Sequence, residues 1–153
     1  MNKEIILIAN RVRQQVREWI ADNDGCDTSD MWGACSISSY TLSKVLKSKG
    51  YNVDFVCGIT SIEGHCWVEL DNDVIIDVTA TQFDKRLPDV YITSKKNYYE
   101  KDIPKFFKYT RKEINYIEPK FLKNLSALRE TTGWGNQKPN QYKKHINKFV
   151  QSF

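Results

Sequence analysis

The chain has 153 residues, of which 27% are charged, 41% hydrophobic and 12% aromatic, with a formal net charge of +4 at pH 7. This predicts one globular domain over residues 1–153 and excludes a disordered chain. No stretch approaches 18 uncharged apolar residues, so no membrane span is expected, and Arg11, Arg13 and Arg17 interrupt the N-terminal apolar segment too early for a secretory signal. We therefore expect a cytoplasmic protein with free thiols at Cys26, Cys35, Cys57 and Cys66.

The charge is divided unequally along the chain. Residues 1–84 hold 7 Lys and Arg against 13 Asp and Glu, whereas residues 85–153 hold 16 against 6. One interpretation is that the two halves fold against each other and the charged side chains form solvated faces. The other is that the basic 85–153 half binds an acidic partner, either a protein or a nucleic acid.

Two helices are expected first. Residues 3–21 repeat apolar side chains at steps of three and four, which predicts an amphipathic helix, and a polar loop over 22–33 follows. A second helix is expected from Gly33 or Ala34 to Gly50. Cys35 would lie in its first turn, where free backbone N–H groups and the helix dipole favour a thiolate and lower the thiol pKa.

The next segments indicate strands. We expect a strand over 51–57, a loop over 58–64, and then a hairpin whose arms, 64–70 and 74–80, each alternate apolar and polar residues around a break at 71–73. Beyond this hairpin, residues 90–93 suit another strand, and residues 118–130 and 140–151 suit helices. The sequence thus predicts an α+β protein with N-terminal helices packed on a small antiparallel sheet and a helical C-terminal part.

The apolar pattern of the hairpin also predicts its register. If residues 70 and 74 close a three-residue loop, Val68 faces Ile76 and the apolar sides of both strands coincide. In that register Asp77 is a diagonal neighbour of His65, close enough for a hydrogen bond between the two side chains. A two-residue loop would place Asp77 on the opposite face.

Cys35, His65 and Asp77 are the residue types of a nucleophile, a general base and an orienting carboxylate. The thiolate attacks an acyl carbon, the imidazole activates the thiol and later protonates the leaving amine, and the carboxylate fixes the tautomer of the imidazole. The other histidine, His145, belongs to a basic C-terminal helix.

The order of these motifs resembles that of the transglutaminase-like branch of the papain-like cysteine enzymes. A small residue and Cys35 at a helix start are followed by Gly-His-x-Trp-Val-Glu at 64–69 and Ile-Ile-Asp-Val-Thr-Ala at 75–80. The resemblance covers residues 31–83, about a third of the chain. It implies a papain-like core, a Cys35–His65–Asp77 catalytic triad, no cofactor, and a thiol-dependent peptidase, amidase, deamidase or acyltransferase acting on a protein or peptide.

The oxyanion donors are less well specified. The position of the oxyanion glutamine of papain corresponds to Ser29 here, so that donor is missing. The backbone N–H of Cys35 is one candidate donor, and the side chains of Trp32 and Gln82 are others.

Two alternatives remain open from the sequence. Cys57, His65 and Cys66 are possible zinc ligands, although their spacing lacks a C-x-x-C pair. The chain can also be a catalytically silent binding module that uses its basic half. The remaining notable side chains have structural interpretations: packing for Trp67 and Phe83, a solvated rim position for Glu69, and inert thiols for Cys26, Cys57 and Cys66.

Overall fold

The computed structural model describes residues 2–24, 34–59, 64–71, 73–82, 84–94, 105–132 and 135–153. These ranges contain four helices: α1 (Lys3–Asp24), α2 (Cys35–Ser48), α3 (Glu118–Thr132) and α4 (Pro139–Ser152). They also contain five strands: β1 (Val53–Ile59), β2 (Gly64–Leu70), β3 (Val74–Asp77), β4 (Tyr91–Ser94) and β5 (Lys105–Tyr109). A short 3-10 turn over Ala80–Gln82 follows β3. The predicted α+β class is confirmed, and no helix in the described ranges is long and apolar enough to cross a membrane.

The strands form one antiparallel sheet in the order β4-β3-β2-β1-β5. The hairpin of β2 and β3 has the predicted register, since Val68 pairs with Ile76 and Leu70 with Val74. Asp71, in the turn, has a φ of 54°, the left-handed conformation that Asp tolerates better than most residues. The edge strand β5 was not predicted, because its Lys- and Phe-rich sequence does not alternate apolar and polar residues.

The main core lies between the helices and one face of the sheet. α2 packs on β1 and β2 and also contacts α1 and α4. The apolar positions expected on α1 and α2 are buried, together with the side chains of Cys66, Val68 and Leu70 from β2. Burial of this many apolar side chains on both sides of α2 fixes the start of that helix relative to the centre of the sheet.

The opposite face of the sheet is also buried. Val56, Trp67 and Ile75 form a second apolar cluster, with Tyr91 packed against it, so the expected packing role of Trp67 is confirmed. The solvated position expected for Glu69 is wrong. Its side chain is fully buried and lies 2.5 Å from Nζ of Lys108 on β5, because the unpredicted strand brings a lysine across that face.

Candidate functional site

Cys35 is the first residue of α2 and follows Ala34, as the sequence predicted for the helix start. Its side chain is partly exposed, whereas most side chains in the next two turns of the helix are buried. Among the described residues, the first turn of α2 has no side-chain cap and no acidic residue. The thiol therefore lies at the positive end of the helix dipole.

His65 and Asp77 meet on adjacent strands, as the predicted register requires. Nε2 of His65 lies 2.6 Å from Oδ2 of Asp77, and both side chains are buried, with 3% and 0% of their surface exposed. The predicted contact between imidazole and carboxylate is confirmed. Burial makes this contact strong, since neither partner can exchange it for water.

Asp77 is held by the residues that follow it. Its second carboxylate oxygen, Oδ1, accepts a hydrogen bond of 2.8 Å from the backbone N–H of Thr79 and one of 3.2 Å from the Thr79 hydroxyl. The local turn thus satisfies the oxygen that His65 leaves free. The carboxylate cannot rotate without breaking these bonds, so it orients the imidazole.

Gln82 contacts the other side of the ring. Its Nε2 atom lies 2.9 Å from Nδ1 of His65 and 3.3 Å from the hydroxyl oxygen of Thr79. Gln82, Thr79, Asp77 and His65 therefore form a closed ring of hydrogen bonds. A role for Gln82 as oxyanion donor stays a prediction, and Trp32, Cys26 and Phe83 lie outside the described residues.

The hydrogen-bond pattern relates the Gln82 amide to the protonation state of the ring. As placed, the amide N–H groups donate to Thr79 and to Nδ1, which requires Nδ1 to be unprotonated and Nε2 to carry the proton that faces Asp77. A doubly protonated imidazole would instead need the amide oxygen at Nδ1. The two protonation states of His65 thus correspond to two orientations of one amide.

The electrostatics favour the charged ring. Burial lowers the pKa of His65, but the charge and hydrogen bond of Asp77, together with contact to Cys35, overcome this and raise the pKa to about 10. Protonation at neutral pH then requires the Gln82 amide to turn and to give up its donation to Thr79. The charge of Asp77 outweighs the hydrogen bonds of Gln82 in setting the pKa of His65, because the buried carboxylate lies 2.6 Å from the ring.

The thiol differs from the expectation. The pKa of Cys35 is raised well above its usual value, first by hydrogen bonding with Cys66 and then by burial and the charge of Cys66; contact with His65 opposes the shift. The predicted low pKa is therefore wrong. The helix end and His65 favour the thiolate as expected, but a neighbouring thiol and burial outweigh them.

A cluster of thiols lies beside the triad residues, and the sequence interpretation missed it. Sγ of Cys66 is 3.1 Å from Sγ of Cys57 and 3.6 Å from Oγ of Ser36, which in turn lies 4.0 Å from Sγ of Cys35. The sequence predicts Cys57 and Cys66 as separate inert thiols. The pairing of β1 with β2 instead places them directly opposite each other.

Arg13 is a second missed residue. It projects from α1 with only 5% of its surface exposed, and it donates hydrogen bonds to the carbonyl of Val78 at 2.5 Å and to the hydroxyl of Thr81 at 3.3 Å. It also forms an ion pair with Asp89 at 3.3 Å. A buried arginine with backbone acceptors fixes the chain between Asp77 and Gln82. The sequence did hold a signal for this buried residue, since Arg13 lies among the apolar positions of the helical repeat of α1.

A groove of about 740 Å³ opens next to the thiol cluster. It is lined by Ser36, Cys57, Tyr109 and apolar side chains of α3, including Phe121 and Leu125. The groove is large enough for several side chains of a bound peptide. One of its lining residues, Ser36, follows Cys35 directly in the chain.

The residues considered as zinc ligands do not form a metal site. Among the described residues, which include Cys57, His65 and Cys66, no group of three or more His, Cys, Asp or Glu side chains is arranged to hold a metal ion. Asp77 already occupies Nε2 of the imidazole. The site is therefore a hydrogen-bonded arrangement of thiol, imidazole and carboxylate.

Comparison with known proteins gave no match: no protein-family model matches the chain, and neither the search of curated proteins nor that of solved structures found a match.

Proposed function

We propose that the protein is a thiol-dependent enzyme that cleaves or transfers the acyl group of an amide, with a protein or peptide as substrate. The observation that carries the proposal is the buried 2.6 Å contact between His65 and Asp77, on a ring whose charge and hydrogen bonding also act on Cys35. A histidine with only a structural role needs neither an orienting carboxylate at one ring nitrogen nor a thiol nearby. This combination is instead typical of a base that serves a nucleophile.

The reaction would proceed through an acyl-enzyme on Cys35. Sγ attacks the acyl carbon while His65 removes the thiol proton, and the imidazolium then protonates the leaving amine. Asp77 keeps the ring oriented and stabilises its positive form. Water or an amine then takes the acyl group, which corresponds to hydrolysis or to transglutaminase-like transfer.

The raised pKa of Cys35 has a consequence for this mechanism. The resting nucleophile is a thiol, and its proton must leave while the new bond forms. His65 accepts that proton only when it is not already charged, and its pKa of about 10 means that this form becomes more abundant as the pH rises. The rate of acylation should therefore increase through the alkaline range without a plateau near neutral pH.

The papain-like arrangement of the core is part of the same proposal. It is supported by the helix that begins at Cys35, by the antiparallel strands that carry His65 and Asp77, and by the order of the three motifs along the chain. The backbone N–H of Cys35 lies in the first turn of α2 and suits one hydrogen bond to an oxyanion.

Acylation by p-nitrophenyl acetate tests the proposal without knowledge of the substrate. We expect one acetyl adduct by intact mass, mapped to Cys35, absent in Cys35→Ala and much slower in His65→Ala. His145→Gln is the matched control, because it removes the other imidazole, which stacks on Trp19 away from the triad. Equal acetylation of Cys26 and Cys35, or a rate that ignores the loss of His65, would refute the proposal.

A binding function is the second candidate, and one surface favours it. α4 presents an exposed polar face with three lysines and several amides: Asn140, Lys143, Lys144, Asn147, Lys148 and Gln151. Such a face suits an acidic protein or a nucleic acid backbone. Retention on heparin that falls steeply between low and physiological salt, and that Lys143→Gln/Lys144→Gln/Lys148→Gln removes, would support it. Elution at the salt typical of any weakly basic protein would contradict it.

A further inference from the structure

Cys57 and Cys66 are placed for a covalent bond. They are directly paired residues of the antiparallel strands β1 and β2, and their sulfur atoms are 3.1 Å apart. Paired residues of antiparallel strands have Cα atoms about 4.5–5.5 Å apart. This lies within the range of about 4.4–6.8 Å that disulfides bridge, so no large backbone movement is needed.

The two thiols differ in access. Cys66 is 5% exposed, whereas Cys57 is partly exposed and lines the 740 Å³ groove. Because Cys57 lines the groove and Cys66 does not, a small oxidant that enters the groove meets Cys57 first. Cys66, which faces Cys57 on the adjacent strand, is placed as a resolving thiol is in redox-sensitive sites.

We infer that Cys57 and Cys66 form a reversible cross-strand disulfide when the protein meets a hydroperoxide. The Cys57 sulfur attacks one peroxide oxygen and becomes a sulfenic acid, and the thiol proton leaves with the other oxygen as an alcohol or water. The Cys66 sulfur then attacks the Cys57 sulfur, and the hydroxyl leaves as water with the proton of Cys66. Two thiols lose two electrons, which the O–O bond takes up.

The accessibility of Cys57 makes the bond reversible. Cys57 lines the groove, so a thiol reductant can reach the disulfide there, and exposed disulfides are reduced readily. A thiol reductant should therefore restore both cysteines in the folded protein.

Peptide mapping tests the bond. Trypsin does not cut between Lys49 and Lys85, so both cysteines stay on the peptide 50–85. A second digestion that cuts after Glu63 then separates Cys57 from Cys66 unless a disulfide joins them. Folded protein treated with hydrogen peroxide and then alkylated should give linked 50–63 and 64–69 fragments, with the loss of two hydrogen atoms. Dithiothreitol should release them, Cys57→Ser should abolish the link, and the control Cys26→Ser should retain it.

Other linkages overturn the inference. A link between residues 50–85 and the tryptic peptide 18–44, which holds Cys26 and Cys35, would mean that a different pair reacts. Oxidation of Cys35 with Cys57 and Cys66 still free would also overturn it, as would a link that appears only after denaturation.

Discussion

The amide of Gln82 lies 2.9 Å from Nδ1 of His65, the ring nitrogen opposite the one that Asp77 holds. The nitrogen expected to serve Cys35 therefore already has a polar partner. Because an amide can present either N–H or oxygen, Gln82 accommodates both protonation states of the ring, and it is a positioning residue for His65.

Replacing Gln82 should shift the titration of His65. Gln82→Glu offers only acceptors at Nδ1 and adds negative charge, so it should raise the pKa of His65 further; Gln82→Leu removes the acceptor that the charged ring needs at Nδ1 and should lower it. The pKa is measured by NMR of the imidazole nitrogens. A His65 pKa that is the same in both variants would show that the amide does not act on the ring.

Loss of the Asp77 charge should impair acylation more than folding. In Asp77→Asn the imidazole loses its tautomer control, and by analogy with serine triads the rate should fall by up to about ten-thousand-fold. Asp77→Ala should in addition lower the free energy of unfolding by about 1–3 kcal/mol, because a buried imidazole N–H is left without an acceptor. Urea denaturation measures the second effect.

The control for Asp77 is Asp73→Asn, an exposed aspartate in the turn of the same hairpin. It should change neither rate nor stability by a measurable amount. Equal acylation rates for Asp77→Asn and Asp73→Asn would show that the buried carboxylate does not orient a catalytic base.

The raised pKa of His65 predicts how stability depends on pH. The pKa is about 10 in the folded protein against 6.5 for the unperturbed side chain, so the native state retains a proton that the unfolded chain has lost. The resulting stabilisation is fully present below pH 6.5 and is lost as the pH rises toward about 10. The free energy of unfolding should fall by up to about 1.4 kcal/mol per pH unit within this window.

Urea denaturation between pH 6 and 7.5 checks this slope, below the pH at which the thiols of the unfolded chain, with a pKa of about 8.5, begin to titrate. His65→Gln should flatten the profile, and His145→Gln should not, since burial and Lys148 lower the pKa of His145 to about 4. A wild-type profile that is level across the window would mean that His65 is neutral and that Gln82 donates to Nδ1.

Arg13 should be required to hold the 3-10 turn over Ala80–Gln82 in position. Arg13→Met keeps most of the buried stem but removes the donors to Val78 and Thr81, so it should cost about 2–3 kcal/mol of stability. Because Gln82 belongs to the same turn, the NMR signals of His65 should shift as well.

Arg11→Met is the control: the guanidinium of Arg11 lies over the Phe153 ring on the exposed side of α1, an interaction worth about 0.5–1 kcal/mol. If both variants lose the same stability and leave His65 unchanged, Arg13 has no role in positioning the turn.

Local alternation alone determined the hairpin. Because a strand exposes successive residues on opposite faces, the apolar residues of 64–70 and 74–80 allowed one register, and that register brought His65 to Asp77. The start of α2 at Cys35 and the apolar faces of α1 and α2 followed equally from periodicity.

Tertiary structure decided everything that depends on contacts between segments distant in the chain. The register of β1 against β2 brought Cys57 to Cys66, and docking of α2 added Ser36 and Cys35, which reversed the expected pKa shift of Cys35. Strand β5, whose pattern does not alternate, buried Glu69 against Lys108. Side-chain periodicity specifies which face of an element is apolar, but long-range packing selects the neighbours on that face, and those neighbours set burial, pKa and reactivity.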